Sequence, residues 1–536
     1  MVVHRHRLPS NVTLVHVITM ASPYYATQGG PVIVQGHVVG GTPVSAYSQL
    51  PPLNANNNNI HDLKQEPQPK RCNDAFFGLL FYVHLGVIAW TAATFVPQFY
   101  ASIADQYNSN SGSYNNRRFL SIMPRWLQES ESTSEDIPNL EMNDIFLILG
   151  VSGAVGFLIS SLALSFMMTC ARPLIKVALW FNIIVNGLLA LLACITGLIP
   201  MAILCLIAFG FSCYYAYVVW GRIPFAAANM VTAITAVRAN IGVSFFAYFS
   251  VILTFGWSMW WSISFVATMF VVSGCNAETD ECETEPNGLL VFLFLISYFW
   301  SIQVIKNVVH VTVAGTVGTW WFTPQEASSC CSKAVRDSWF RAMTYSFGSI
   351  CFGSLIVAII QAIKEVIHNM REQGDSGLAC LAECLIGCIE QLVEYFNQWA
   401  YVFVGLYGFS FMEAGKNVMT LFKSRGWTVI ISDMLVDSVL SMVAMGVGVL
   451  TGIIGILVAQ AAGIDLSQGM AVIAFVLGFL VGFALAATLF SVVSSAVNTV
   501  IVCYAEAPAE FQQNHPRLSD EMREAWRQAW PNEFKY

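Results

Sequence analysis

The sequence predicts an all-α, polytopic membrane protein with about ten transmembrane helices and with both termini in the cytosol. Three observations lead to this class: 56% of the 536 residues are apolar, only 11% are charged, and the apolar residues form long uninterrupted segments. A soluble domain carries about 25% charged residues. Because a spanning helix needs about 20 mostly apolar residues, the long segments are predicted to cross a bilayer.

Ten segments are long and apolar enough to span. They are Ala75–Pro97, Ile145–Met168, Leu174–Leu198, Met201–Trp220, Ile241–Val272, Leu289–Val313, Tyr345–Ile367, Trp399–Leu421, Val429–Gln460 and Met470–Val502. They lack the strict alternation of polar and apolar residues that barrel strands show. Because lipid offers no hydrogen-bond partner to a backbone N–H or C=O group, helices are predicted. The spans define a transmembrane domain, residues 75–502, followed by a cytosolic C-terminal tail, residues 503–536.

The N-terminal tail, residues 1–74, is predicted to be disordered and cytosolic. It is polar, it contains prolines throughout, and residues 54–59 are nearly all asparagine. Such a composition buries too little apolar surface to offset the entropy of folding. No secretory signal pattern is visible, and translation from Met20 instead of Met1 is left as an open hypothesis.

The basic residues predict the orientation, because they occur almost entirely in alternate gaps between the spans. With both termini in the cytosol, most of the 25 lysines and arginines fall in cytosolic segments, as the positive-inside rule requires. Lys306 is an exception, since it lies within the sixth span.

Two gaps carry amphipathic patterns. Residues 361–398, on the predicted outer side, place several leucines from Leu378 to Leu392 on one side of a helix, and residues 222–238 show a similar pattern on the cytosolic side. Both are predicted to be short helices that lie on the membrane surface and connect two spans.

Cys275 and Cys282 are candidates for a disulfide, because they share a predicted outer loop, where disulfides persist. Cys380, Cys384 and Cys388 recur every fourth residue, which places them on one helical face. No second half of a zinc-binding pattern accompanies them, so no metal site is predicted.

The sixth span carries the most polar stripe of the membrane domain. Gln303, Lys306, Asn307 and His310 fall on one helical face. Polar side chains inside a membrane usually line a cavity or pair with one another. These four residues are therefore candidates for a transport pathway.

Two carboxylates at the start of the ninth span extend this set. Asp433 and Asp437 have the same spacing as Lys306 and His310. We expect these carboxylates to neutralise Lys306 and to couple to a titrating His310. The alternative is that each charged group extends to the cytosolic interface.

Aromatic residues concentrate in the fifth to seventh spans. The candidates for binding a small cation are Trp257, Trp260, Trp261, Tyr298, Trp300 and Tyr345, with Glu413 or Asp437 as the acidic counter-charge. Aromatic faces attract quaternary ammonium ions by cation–π interaction. The alternatives are plain packing and, near span ends, an interfacial aromatic belt.

Soluble catalytic patterns are missing from the sequence. It carries no phosphate-cradling loop, no G-x-S-x-G elbow and no HExxH helix. We therefore expect no enzymatic activity, no cofactor and no ATP-driven transport. The net charge of −8 is no evidence for an acidic or basic partner, and no nucleic-acid partner is predicted.

Four stretches resemble the signature sequences of choline-transporter-like proteins. They are residues 306–322 (KNVVHVTVAGTVGTWWF), 346–361 (SFGSICFGSLIVAIIQ), 401–421 (YVFVGLYGFSFMEAGKNVMTL) and 503–518 (CYAEAPAEFQQNHPRL), the last similar to the fungal and protist branch. The resemblance implies a ten-helix carrier with cytosolic termini. It also implies choline, and ethanolamine beside it, as substrates of facilitated or proton-linked movement.

The residues and the resemblance together predict a plasma-membrane transporter of small organic cations, choline first. Two other classes stay open: a non-transporting scaffold or receptor, and an ion channel. A scaffold gives no reason to keep four polar side chains on one buried face. The predicted partners are the small cation and the lipid bilayer, and the oligomeric state is not predicted.

Overall fold

A computed structural model describes residues 70–109, 142–196, 199–274, 287–330, 332–372, 376–425, 428–464 and 469–529. The predicted N-terminal tail up to residue 69, the loop that contains Cys275 and Cys282, and residues 530–536 lie outside the described residues. So do the side chains of Cys380 and Asp433.

Regular secondary structure in the described ranges is helical. The helices are α1 (Ala75–Ser109), α2 (Met142–Thr169), α3 (Ala171–Ile195), α4 (Ile199–Val219), α5 (Ile223–Ala239), α6 (Gly242–Val272), α7 (Gly288–Phe322), α8 (Lys333–Met343), α9 (Phe347–Glu372), α10 (Ser376–Tyr407), α11 (Phe411–Arg425), α12 (Thr428–Ala461), α13 (Met470–Glu506), α14 (Pro508–Asn514) and α15 (Pro516–Ala529).

The predicted class, an all-α polytopic membrane protein, is confirmed. Within the described part of the chain, 9 helical segments are long and apolar enough to cross a membrane. Their outward faces carry large apolar side chains such as Leu162, Ile207 and Phe255. Exposed apolar surface of this extent is compatible with lipid contact rather than with water.

The predicted eighth span, Trp399–Leu421, is wrong. The helix breaks within it: α10 ends at Tyr407, α11 begins at Phe411, and Gly408 between them has a left-handed φ of 68°. At 1.5 Å per residue, α11 is only about 22 Å long, whereas α10 is about 48 Å long and exceeds the bilayer core. Hydropathy missed α10 because it carries several glutamates.

The surface helix predicted at residues 361–398 is also wrong. Residues 361–398 belong to α9 and α10, which pack against each other and against α7. Their charged residues are accommodated because they pair across the helix contact, as Lys364 and Glu390 do at 2.8 Å. The short helix predicted at residues 222–238 does form, as α5 between α4 and α6, but it is buried rather than exposed, since α13 and α15 cover it.

Glycines set the close packing of α12 against α13. A Cβ at Gly478 or Gly482 would overlap the backbone or side chain of Thr451, and a Cβ at Gly452 would meet the ring of Phe475. Small residues at helix contacts let backbones approach closely in lipid.

Both ends of the membrane domain lie at the same end of the bundle. Just before α1, the Asp74 carboxylate accepts hydrogen bonds from the Phe411 amide at 2.8 Å and from Ser349 Oγ at 2.7 Å. At the other terminus, Trp321 in the last turn of α7 donates its indole N–H to the Ala507 carbonyl at 3.0 Å. The charge pattern predicts that this end faces the cytosol.

Candidate functional site

Three of the predicted aromatic residues meet between α6 and α7, and we call Trp257, Trp261 and Tyr298 the aromatic cluster. The rings of Trp261 and Tyr298 have centroids 4.8 Å apart, and Trp261 is only 9% exposed. Its indole N–H donates to the Phe294 carbonyl at 3.0 Å. The buried Nε1 of Trp257 has no hydrogen-bond partner among the described residues.

The neighbouring Trp300 is held by other helices. Its indole N–H donates to the Cys351 carbonyl of α9 at 3.0 Å, and its ring centroid lies 5.0 Å from that of His84 on α1. His84 also hydrogen-bonds Ser297 Oγ through Nε2 at 2.8 Å and lies 6.2 Å from the Trp257 ring. Sequence reasoning missed His84, whose only signal was a lone histidine in an apolar span.

The structure does not bring the other substrate-binding candidates to this cluster. Trp260 is 50% exposed on the outward face of α6. Tyr345 lies in the turn before α9, where its carbonyl accepts from the Asn73 amide at 3.2 Å. Glu413 is exposed in the first turn of α11.

The polar stripe of α7 faces α9 and α10, and Gln303, Asn307 and His310 are buried there. Asn307 Nδ2 donates to Ser354 Oγ at 3.0 Å and lies 3.4 Å from the Tyr401 hydroxyl. The hydroxyls of Ser354 and Tyr401 are 3.3 Å apart. Polar groups in a membrane interior are stabilised when they satisfy one another in this way.

His310 extends these hydrogen bonds to α10 and α13. Its Nε2 lies 2.9 Å from the Gln398 carbonyl oxygen of α10, so Nε2 carries a hydrogen and donates. Its Nδ1 lies 2.7 Å from Ser495 Oγ of α13, which in turn lies 2.9 Å from the Ser491 carbonyl. We call Asn307, His310, Ser354, Tyr401 and Ser495 the polar cluster.

Lys306 has a different partner from the one predicted. Its Nζ lies 2.6 Å from Glu394 Oε1 of α10, whereas Asp437 of α12 accepts from Ser494 Oγ of α13 at 2.8 Å. The predicted pairing of Lys306 with Asp437 is therefore not formed, because α10 rather than α12 packs along this part of α7. The predicted pairing with Asp433 falls outside the described side chains.

Charged pairs continue between α9 and α10 beyond Lys306. Gln303 Nε2 lies 3.3 Å from Gln361 Oε1, and Gln361 Nε2 donates to Glu390 at 3.0 Å. Glu390 also pairs with Lys364. Sequence reasoning missed Glu390 and Glu394 because both fell in the stretch interpreted as a surface helix. The helical spacing of Glu390, Glu394, Asn397 and Tyr401 was the available signal.

The fold and this site define a membrane transporter-like protein: a polytopic helical bundle in which α7 contributes to an aromatic cluster and to a buried polar cluster. A family model described as plasma-membrane choline transporter matches residues 203–509, which is more than half of the chain. The chain therefore belongs to this family, and the predicted resemblance is confirmed. The matched residues include both clusters.

Fungal relatives support the same assignment. The chain is 30% identical to Protein PNS1 of Debaryomyces hansenii over 330 residues, which cover 59% of this chain and 63% of the relative. It is 35% identical to Protein PNS1 of Mycosarcoma maydis over 248 residues, covering 45% and 46%, and 31% identical to Protein PNS1 of Cryptococcus neoformans over 328 residues, covering 59% of each. The chain thus matches only about half to two thirds of the length of these relatives.

Proposed function

We propose that the protein carries small organic cations, choline first and ethanolamine second, across the plasma membrane by facilitated or proton-coupled movement. The observation that carries the proposal is that one helix, α7, contributes to both the aromatic cluster and the buried polar stripe. Tyr298 and Gln303 lie on different faces of α7, but Trp300 is three residues before Gln303 and shares its face. The ring of Trp300 contacts His84, which in turn contacts Trp257. We propose that a cation passes from the aromatic to the polar surroundings by way of Trp300.

The aromatic cluster suits a quaternary ammonium ion. Such an ion donates no hydrogen bond from nitrogen, so aromatic faces that attract positive charge are its natural partners. The unpartnered indole N–H of Trp257 would donate to the hydroxyl oxygen of choline. Buried donors in folded proteins are rarely left without an acceptor, and a substrate with one hydroxyl group supplies it.

The charges nearby limit where an acidic counter-charge can come from. Glu394 and Glu390 lie close to the polar stripe, but they are paired with Lys306 and Lys364. Glu413 is exposed on α11, and Asp437 lies between α12 and α13, partly buried. Of the two carboxylates proposed from the sequence, Asp437 is the one that lies within the bundle.

The polar cluster supports the proton-coupled form of the proposal, because His310 has partners for both protonation states. When His310 is neutral, Ser495 donates its hydroxyl hydrogen to Nδ1. When His310 is protonated, Nδ1 donates to Ser495 Oγ, and the serine turns its hydrogen to the Ser491 carbonyl. Rotation of one hydroxyl is therefore enough to accommodate a proton.

The proposal is tested with purified protein in liposomes, assayed for uptake of labelled choline with and without a pH gradient. We expect saturable uptake that unlabelled choline and ethanolamine inhibit. Protein-free liposomes are the control for leakage. Failure to take up choline, ethanolamine or any other small amine would overturn the proposal, and uptake without saturation would indicate a channel.

A further inference from the structure

A cavity of about 260 Å³ lies between α2, α5, α6 and α13, away from the aromatic and polar clusters. Its walls include Phe157, Leu164, Arg238, Ser244, Tyr248 and Leu489. Phe157 and the nearby Phe245 are 42% and 60% exposed on the outward face of their helices, so the cavity opens sideways towards the bilayer.

Two side-chain hydroxyls of the cavity wall have no hydrogen-bond partner. The Oγ of Ser244 and the hydroxyl of Tyr248 are buried and unpartnered among the described residues, and Ser244 is only 6% exposed. In contrast, Ser161 in the same wall donates to the Phe157 carbonyl of its own helix at 3.0 Å. Buried hydroxyls without partners are uncommon and indicate a missing acceptor.

The cavity is graded from a charged end to an apolar end. At one end, Arg238 lies 3.3 Å from the Met168 sulfur and makes no ion pair with a described carboxylate. At the other end, the rings of Phe157 and Tyr248 have centroids 5.3 Å apart. Met168 and Phe157 are separated by about 16 Å along α2, and Ser244 precedes Tyr248 by about 6 Å along α6, on the side of Arg238.

We propose that this cavity binds an anionic phospholipid of the surrounding bilayer. The phosphate lies on Arg238, oxygens of the ester linkages accept hydrogen bonds from Ser244 and Tyr248, and an acyl chain packs on Phe157 at the apolar end. The order of charged, hydroxyl and apolar groups along the cavity matches the order of phosphate, ester and hydrocarbon along a phospholipid.

The size and charge of the cavity select this occupant over others. At about 260 Å³ it is smaller than the roughly 300–1,000 Å³ of a pocket that encloses a drug-sized ligand, so it holds part of a molecule whose remainder lies in the bilayer. None of the described residues that line it is a carboxylate, and Arg238 repels a cation, which disfavours the proposed transport substrate. Arg238 also belongs to a segment predicted to face the cytosol, where anionic lipids concentrate.

The test is native mass spectrometry of the delipidated full-length protein, titrated with phosphatidylserine or phosphatidylcholine. We expect tighter binding of phosphatidylserine, and we expect R238Q to weaken it on the order of fivefold, the effect of one basic residue on an anionic lipid. The matched control is R172Q. Arg172 lies nearby at the start of α3 but lines a different crevice, together with Asp520, Glu521 and Glu524.

A second pair of variants tests the hydroxyls. Y248F removes an unpartnered hydroxyl and should weaken binding of both lipids, whereas S161A removes a hydroxyl that is already satisfied and should leave binding unchanged. The proposal is overturned if wild type shows no preference for phosphatidylserine, if R172Q and R238Q lose binding equally, or if water-soluble glycerol phosphate competes as well as the lipid. A thermal melt of each variant in detergent excludes loss of folding as the cause.

Discussion

Lys306 of α7 and Glu394 of α10 form an ion pair with 2.6 Å between Nζ and Oε1, and this pair joins helices whose residues are 88 positions apart in the chain. The side chains are 53% and 29% exposed. The pair therefore lies at the edge of the polar stripe, next to the buried Asn307 and His310. It fixes α7 against α10 along the surface that we propose as part of the transport route.

Reversing one charge of this pair should impair the protein, and reversing both should restore it in part. We expect K306E and E394K each to lower choline uptake and to lower the free energy of unfolding by about 1 kcal/mol, a magnitude set by the partial exposure of the pair. The double variant should recover part of both losses. Liposome uptake and thermal unfolding of the three variants measure this.

The exposed pair of Lys333 and Glu326, 2.9 Å apart, is the control for the charge swap. Reversing it should leave uptake unchanged, since both residues lie outside the spans. Equal uptake in wild type and both Lys306 and Glu394 single variants would show that the pair has no part in transport.

Adjacent tryptophans on α6 provide a matched test of the aromatic cluster. We expect Trp261→Leu to raise the choline concentration for half-maximal uptake on the order of thirtyfold, because a desolvated cation–π contact contributes about 2 kcal/mol. Trp260→Leu should change it little, since Trp260 faces outward. The measurement is the concentration dependence of uptake, and the same shift for both variants would place the binding site elsewhere.

His310 should be required for the effect of a pH gradient but not for downhill movement. We expect His310→Gln to retain uptake down a choline gradient and to lose its stimulation by a pH gradient, because glutamine forms hydrogen bonds but does not take up a proton. Ser495→Ala removes the hydroxyl that turns between His310 and Ser491, and it should reduce the same stimulation. If a pH gradient stimulates choline uptake by both variants as much as uptake by wild type, a group other than His310 takes up the proton.

Docking of the C-terminal helices should depend on pH through His515. Burial against Trp320 lowers the pKa of His515 below its ordinary value of 6.5, although a hydrogen bond to the Trp320 carbonyl opposes the shift. The undocked segment therefore binds a proton more readily than the docked one. The stabilisation is present above pH 6.5 and is lost as the pH falls from 6.5 towards the lowered pKa.

Hydrogen exchange of residues 508–529 measures this docking. We expect faster exchange at pH about 5.5 than at pH about 7.5, after correction for the intrinsic rate, and no such difference in His515→Gln. The stacked contact of Phe511 on Trp321, with ring centroids 3.9 Å apart, does not titrate and should keep part of the segment docked at both pH values. Identical protection of wild type at the two pH values would contradict the prediction.

Much of the fold followed from local sequence properties. The lengths of the apolar segments predicted nine of the candidate spans. This works because, in lipid, each span must form its backbone hydrogen bonds within its own helix. The four-residue spacing of Gly478 and Gly482 is typical of a close helix contact, and both glycines pack on Thr451 of α12. Helical periodicity correctly grouped Asn307 and His310 on one buried face.

Helix α10 could not be recognised in the same way. Helix α10 carries Glu383, Glu390 and Glu394, so its hydropathy resembles that of a surface helix. It is accommodated in the bundle because Lys306 and Lys364, from two other helices, pair with its glutamates. A scan of local composition does not register a partner that is distant in the chain.

The sequence by itself determined the class of protein, most of its spans and the helical face that carries the polar residues, because these depend on neighbours within a few turns. Only the tertiary structure decided which charges meet, that Trp261 is enclosed while Trp260 faces outward, and that Ser495 reaches His310. Those outcomes depend on which helices lie side by side, since a side chain on one helix acquires its partner only when another helix packs against it.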